Sequence, residues 1–465
     1  MMLLVFVHGW SVTHTDTYGA LPEALHALAP AALNLHLHHL FLGRYISFED
    51  EVRMDDLARA FDQALRDQLP DNADGKRRFS CITHSTGGPL VRSWIERFYG
   101  KDKLDQLPLE HLIMLAPANF GSALAQLGKS RLGRIKSWAS GVEPGQRILH
   151  WLELGSHEAW ELARRWLAYD LDGTGFFPFV LTGQYIDSKL YDFLNSYTGE
   201  KGSDGVVRVA AANMNFTHLH LRQTFDVIRQ RPLTTRLEVV AESIMRPAPS
   251  GMEVIEQAAH SGKKHGIMRS VENGGAAAQK PIVGRVLQCL QVVDRGQYGR
   301  LIDEMEQRTA AVQAREGIIR GTQFIFSLRD DEDHPIVDFD LLLLAGGRYD
   351  PNRLPKGFFL DRQRNSQKGN KITYFLNHDK IAEVESGKLG FRIIARPSEG
   401  FCHYISGEFR SEDIPLENIL RPNQTVLVDI ELIRKIDKVS ARLDPATSPR
   451  ISFKKQPKSG EYVDS

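Results

Sequence analysis

The chain has 465 residues, 42% of them hydrophobic and 25% charged, with lysine plus arginine and aspartate plus glutamate equal at 58 each. That length exceeds one ordinary core and predicts two or three domains of about 100 to 200 residues, while zero net charge argues against a broad basic surface and so against a nucleic-acid partner. Three cysteines, Cys81, Cys289 and Cys402, are too few for a disulfide framework and too scattered for a metal knuckle, which fits synthesis in a reducing compartment.

"MMLLVFVHGW" opens the chain with an apolar run that has no basic leader and no small-residue cleavage site, so it does not read as a signal peptide. No stretch reaches the roughly 20 apolar residues of a membrane span. The expectation is a chain that is cytoplasmic at synthesis, whose export would need a secretion system that reads no N-terminal signal. Strand-like and helix-like runs then alternate: "LLVFV", "LPEALHALAP", "NLHLHHL", "MDDLARAFDQAL", "FSCIT", "HLIMLAPA" and "FFPFVLTG". Such alternation predicts a mostly parallel sheet with helices on both faces, because parallel neighbours need crossover connections. "ENGGAAAQKP", residues 272–281, breaks the pattern. It predicts a first domain over 1–272, a linker over 273–281 and a second domain over 282–445. The second domain has one helical segment, "YGRLIDEMEQRTAAVQ", and then short strand-like runs with turn residues between them, which predict a β-sandwich. Residues 446–465 have the composition of a disordered tail.

The stretch "ITHSTGGPLVRSWIERFY", residues 82–99, passes from a β-branched run through one serine into an amphipathic helix. A strand that turns straight into a helix needs small neighbours at the corner, here Thr83, Gly87 and Gly88, and lifts the Ser85 hydroxyl clear of the sheet. The first backbone N–H groups of the helix then lie where an oxyanion would form. T-H-S-T-G resembles the G-x-S-x-G nucleophile elbow of the α/β-hydrolase superfamily, with Thr83 in place of the first glycine. "VFVHGW", residues 5–10, resembles the H-G dipeptide that follows an early strand in lipases of that superfamily. The resemblance implies an oxyanion hole made by the backbone N–H groups of Trp10 and Thr86, with His8 structural.

A serine nucleophile needs a base and an orienting acid. "GSDGVVRVAAANM", residues 202–214, holds Asp204 in a glycine-flanked turn before a strand-like run and is similar to the D-G-x-V acid loop of lipases. Asp-Gly is more often a plain β-turn, but the chain order serine, aspartate, histidine favours the acid. Two histidines compete for the base. His260 lies on a loop after a strand-like run and is preferred; His265 is expected at the start of a helix that would hold it back, and it stays open. His218 and His220 read as packing or surface residues. "LAPANFGSALAQLG", residues 115–128, is similar to the P-x-x-G-S turn that leads many lipases into their cap.

A cap insertion is expected at about 123–176, where Trp138, Trp151, Trp160 and Trp166 fall. These indoles suit either a lid that meets a lipid surface or the packing of the cap on the sheet. An apolar lid over a serine implies acyl chains. The reading is a lipase or phospholipase of the A type, cleaving carboxylic esters of lipids through an acyl-enzyme, with no metal or organic cofactor and with transient contact with a membrane surface. A hydrolase core without a signal, with its own cap and an added C-terminal domain, resembles the bacterial lipase effectors delivered by type VI secretion. An acyltransferase using the same triad and a non-catalytic adaptor on a hydrolase-like scaffold are the alternatives. In the second domain "RDDEDHP" gathers Asp330, Asp331 and Asp333, which suits a Ca²⁺ site or, more commonly, a solvated turn. "GFFLDRQRN", residues 357–365, reads as a loop that faces a protein partner.

Overall fold

The structure is a computed structural model that describes residues 1–8, 17–47, 49–69, 72–127, 145–186, 201–272, 280–316, 318–397, 402–414 and 416–436. Trp10, Trp138, most of the expected linker and the expected tail lie outside the described residues.

Short apolar runs form β1 (Met2–His8), β2 (Leu35–Phe41), β3 (Phe79–His84), β4 (Leu109–Leu115), β5 (Phe177–Thr182) and β8 (Gly251–Val254). They pair in parallel in the order β2-β1-β3-β4-β5-β8. A parallel sheet must be covered on both faces, and strand alternation supplies two apolar sides. Leu3, Val5 and Val7 of β1 meet α2 (Met54–Gln68) and α3 (Gly87–Phe98), whereas Leu4 and Phe6 face α1 (Leu21–Leu28) on the other side.

The second face is completed by residues expected in the second domain. Helices α7 (Pro281–Leu290) and α8 (Arg295–Glu316) bury Ile282, Val286, Leu290, Tyr298 and Met305 against Phe177 and Phe179 of β5. Glu253 of β8 is almost fully buried and binds Arg285 of α7 at 2.7 Å and Arg308 of α8 at 2.8 Å. The covalent boundary near residue 272 is therefore not the boundary between cores.

The exchange also runs the other way. Strands β6 (Phe216–Gln230) and β7 (Leu233–Val239), from the expected first domain, sit in the middle of a nine-stranded mixed sheet. Its other members are β9 (Gly321–Asp330), β10 (Asp338–Ala345), β11 (Phe359–Arg364), β12 (Lys371–Asn377), β13 (Leu389–Arg396), β15 (Ser406–Arg410) and β16 (Thr425–Leu432), in the order β10-β13-β15-β7-β6-β16-β9-β12-β11. A two-stranded ladder of β14 (Cys402–Tyr404) and β17 (Arg434–Ile436) lies beside it. The sheet curls until its ends meet: Tyr374 of β12 donates its hydroxyl proton to the Leu341 carbonyl of β10 at 2.6 Å. The rings of Phe326 in β9 and Phe391 in β13 touch across the enclosed core, with centroids 5.1 Å apart. This is the expected β-sandwich character, reached by one sheet closing on itself.

Between β4 and β5 the chain makes α4 (Gln146–Leu152) and α5 (His157–Trp166). Trp151, Trp160 and Trp166 are all buried. Lys371 of the second sheet lies 4.3 Å over the Trp160 ring, and Arg92 of α3 lies 5.2 Å from that of Trp166. These three indoles pack the cap between the two sheets and do not present a lipid-facing surface.

The carboxylates of the acidic turn are satisfied by partners within the chain. Asp330 accepts N–H bonds from Glu332 and His334, Asp331 accepts from the backbone of Arg434, and Asp333 pairs with Arg329 at 2.7 Å. Among the described residues no three side chains are gathered as metal ligands.

Candidate active site

Ser85 sits between the last residue of β3 and α3, with φ of 52°, a left-handed backbone that costs a non-glycine residue of order 1–3 kcal/mol. The surroundings hold it there. Its N–H donates to the Leu115 carbonyl at 3.0 Å, and its own carbonyl accepts from Gly88 and Ala118, each at 3.3 Å. A Cβ on Gly88 would lie 2.7 Å from Pro117, and one on Gly87 would lie 3.0 Å from the Thr83 side chain. The two glycines thus let α3 start hard against β3 and β4, and Thr83 fits because residue 87 has no side chain.

Asp204 is fully buried in a loop that ends in α6 (Val209–Ala212), a short helix where a strand-like run is expected. Its Oδ1 accepts N–H bonds from Val206 at 3.0 Å and Val207 at 2.8 Å. These bonds stabilise a carboxylate away from water and fix its plane. Oδ2 faces His260 Nδ1 at 2.9 Å, and His260 Nε2 faces Ser85 Oγ at 3.2 Å. A second bond runs along the backbone, from His260 N–H to the Asp204 carbonyl at 3.0 Å.

His265 takes no part in this line. No helix begins there; residues 263–265 form a turn in which the His265 carbonyl accepts from Ala259 N–H at 2.7 Å. Its ring stacks on Tyr185 at 4.3 Å. Thr86 follows Ser85 as the N-cap of α3, where its N–H belongs to the helix start. Its expected partner, Trp10, lies outside the described residues. His8 closes the strand before that segment: its Nε2 lies 2.8 Å from His39 and its ring stacks on Phe41 at 4.6 Å. His218 pairs with Asp429 at 2.9 Å and His220 lies 3.7 Å from Glu431, both on the second sheet.

His84 is a residue to which the sequence reading assigned no role. Its Nε2 lies 3.1 Å from the His260 carbonyl, and the two rings are 4.7 Å apart. Burial, then the neighbouring His260, push its pKa down to about 3, against the smaller effect of that hydrogen bond. A neutral ring donates Nε2–H to the His260 carbonyl and adds no positive charge beside that imidazole. The signal was the histidine next to the serine, but only the fold shows what it touches. Replacing it with phenylalanine is expected to lower kcat for ester hydrolysis about tenfold at unchanged KM, the size of one lost hydrogen bond. His84→Gln, which restores a donor, should recover most of it; equal losses in both variants would show that the ring's packing matters and the bond does not.

A six-stranded parallel sheet in this order, with a serine on a strained corner after its third strand and an imidazole and a carboxylate in line behind it, defines an α/β-hydrolase of the lipase and phospholipase class. Among solved structures, phospholipase PlaB from Legionella pneumophila is 44% identical over 97% of both chains, with a TM-score of 0.86. The same phospholipase in complex with thio-NAD is 43% identical over 97% of both chains, with a TM-score of 0.85. The chain belongs to the family of this phospholipase. No protein-family model matches it, and no curated protein does. These findings lend no support to the expected resemblance to type VI secretion effectors.

Proposed function

We propose that the chain is a phospholipase of the A type, in which Ser85, His260 and Asp204 cleave a carboxylic ester of a phospholipid through an acyl-enzyme. The observation that carries this reading is the line Ser85 Oγ, His260 Nε2, His260 Nδ1, Asp204 Oδ2, with gaps of 3.2 and 2.9 Å. Membership of a phospholipase family supplies the lipid class of the substrate.

In the first half of the cycle Ser85 Oγ attacks the ester carbonyl carbon while its proton passes to His260 Nε2. Asp204, held by two backbone N–H groups, accepts from Nδ1–H and so keeps the lone pair of Nε2 aimed at the serine. The carbonyl oxygen becomes an oxyanion stabilised by the N–H of Thr86 at the helix start; one such donor contributes about 3 kcal/mol to the transition state. The tetrahedral intermediate collapses as the Nε2 proton moves to the departing lysophospholipid alkoxide, leaving the fatty acyl group on Ser85. Water repeats the sequence, releasing the fatty acid and restoring the serine. An alcohol in place of water would give acyl transfer.

Incubating the protein with phospholipids and glycerides, and identifying products by mass spectrometry, tests the reading. Free fatty acid and lysophospholipid are expected. A fluorophosphonate should label Ser85 and block their release. Acylated alcohol as the main product would point to the transferase, and failure to label Ser85 in folded protein would overturn the mechanism.

A further inference from the structure

The loop that carries Asp204 lies on the second sheet. Arg208, four residues past Asp204, is 1% exposed. A guanidinium at that depth is costly unless paired, and the loss of its partner would leave a buried charge. Its Nη2 binds the Asp361 carboxylate of β11, its Nη1 lies 3.3 Å from Gln323 Oε1 of β9, and its charge lies 4.5 Å from the Phe375 ring of β12. All three belong to the second sheet, far from Arg208 in sequence. "GFFLDRQRN" thus faces a partner within its own chain: Gln363 also donates to the Ala123 carbonyl at 3.4 Å and Asn365 to that of Leu154 at 3.2 Å.

Arg208 is tightly linked to the carboxylate. Ser203 and Arg208 form a bridge at the base of the loop, Asp204 N–H donates to the Val207 carbonyl at 3.1 Å, and Val209 N–H donates to that of Gly202 at 3.0 Å. The two N–H groups that hold Asp204 Oδ1 belong to Val206 and Val207, directly before Arg208. Gly202, with φ of 89°, has space only because it lacks a side chain: a Cβ would lie 3.1 Å from Phe375. Beyond the loop, Thr425 Oγ1 donates to the Ala210 carbonyl at 2.9 Å and Asn213 Nδ2 to that of Asn423 at 2.7 Å. Residues 202–213 are therefore laid along the second sheet, and a shift of Arg208 would turn the N–H pair that sets the carboxylate plane.

We infer that Arg208 is a positioning residue for Asp204, and that through its bonds to Asp361, Gln323 and Phe375 the second sheet is part of the catalytic apparatus. This rests on the triad reading above. Misplacing the acid leaves substrate binding intact and costs the chemical step, and displacements of about 1 Å cost up to about 100-fold.

The test uses the full chain with Arg208→Met and Asp361→Asn, the second a near-isosteric change at a residue 27% exposed that keeps the arginine in place. Arg208→Met is expected to lower kcat about 100-fold and Asp361→Asn about tenfold, both at unchanged KM. The low-field proton signal of the Asp204–His260 hydrogen bond should broaden or vanish in both. In an Asp204→Asn background Arg208→Met should cost nothing further, because its effect passes through the carboxylate. An equal additional loss in that background, or a full-strength low-field signal with reduced kcat, would overturn the inference in favour of packing alone. If Arg208→Met does not fold, Asp361→Asn decides, and wild-type kcat there also overturns it. Failure of the triad reading would show differently, as retained hydrolysis by folded Ser85→Ala protein.

Discussion

Ser85→Ala is expected to lower kcat/KM for lipid ester hydrolysis about 10⁴-fold or more with little change in thermal stability. The substitution removes one oxygen from a corner held by backbone bonds to Leu115, Gly88 and Ala118, all of which an alanine retains. His260→Ala should match it, because a serine without an acceptor for its proton is a poor nucleophile. The double variant should be no worse than either single one, since members of one catalytic unit do not contribute additively. His265→Ala should keep most of the activity, its ring being stacked on Tyr185 and out of line with Ser85. Steady-state kinetics on mixed micelles, with melting curves to certify folding, measure all four. A His265→Ala loss equal to that of Ser85→Ala would move the base to the other histidine.

The second large effect is loss of stability in mild acid. His8 and His84 are neutral in the folded protein, their pKa values pushed down to about 4 and about 3, in both cases by burial first and a neighbouring histidine second. Burial also lowers His38, His39, His111 and His378. The unfolded chain takes up protons on these rings below pH of about 6.5, whereas the folded chain does not, so stability falls as the pH drops. The window runs from about 6.5 down to the folded values. For His8 and His84 together the loss by pH 4 is about 6 kcal/mol at 1.36 kcal/mol per unit, which is comparable with the whole stability of many domains. Denaturant unfolding between pH 7 and 4 should therefore show proton uptake by two or more groups, with His8→Gln and His84→Gln each flattening the slope. Stability that stays level over that range would mean these rings are protonated in the folded state.

The candidate positions Ser85 and Asp204, which the fold brings into one line with His260, were legible in the sequence because their turns depend on local backbone rules. A serine between a β-branched run and a helix, with Gly87 and Gly88 behind it, can only be a tight corner, and Asp-Gly fixes a turn around Asp204. The strands of the parallel sheet were legible too, since buried strands are short apolar runs between turn residues. The choice between His260 and His265 was not, because five residues of separation leave both within reach and the rotation of one loop decides which ring faces Asp204. Nor were the domain limits. Strands β6 and β7 carry charged and polar residues on their outward face, as in Arg222, Thr224 and Arg236, and their partners β16 and β15 lie more than 170 residues further on. Helices α7 and α8 have an apolar side that would suit any open core, and only the bare face of β5 and β8 selects it. Arg208 follows a valine pair and stands in the sequence as one charge among many. Its burial against Asp361 and Phe375 arises from contacts between segments about 150 residues apart, and local sequence carries almost no signal of contacts at that separation.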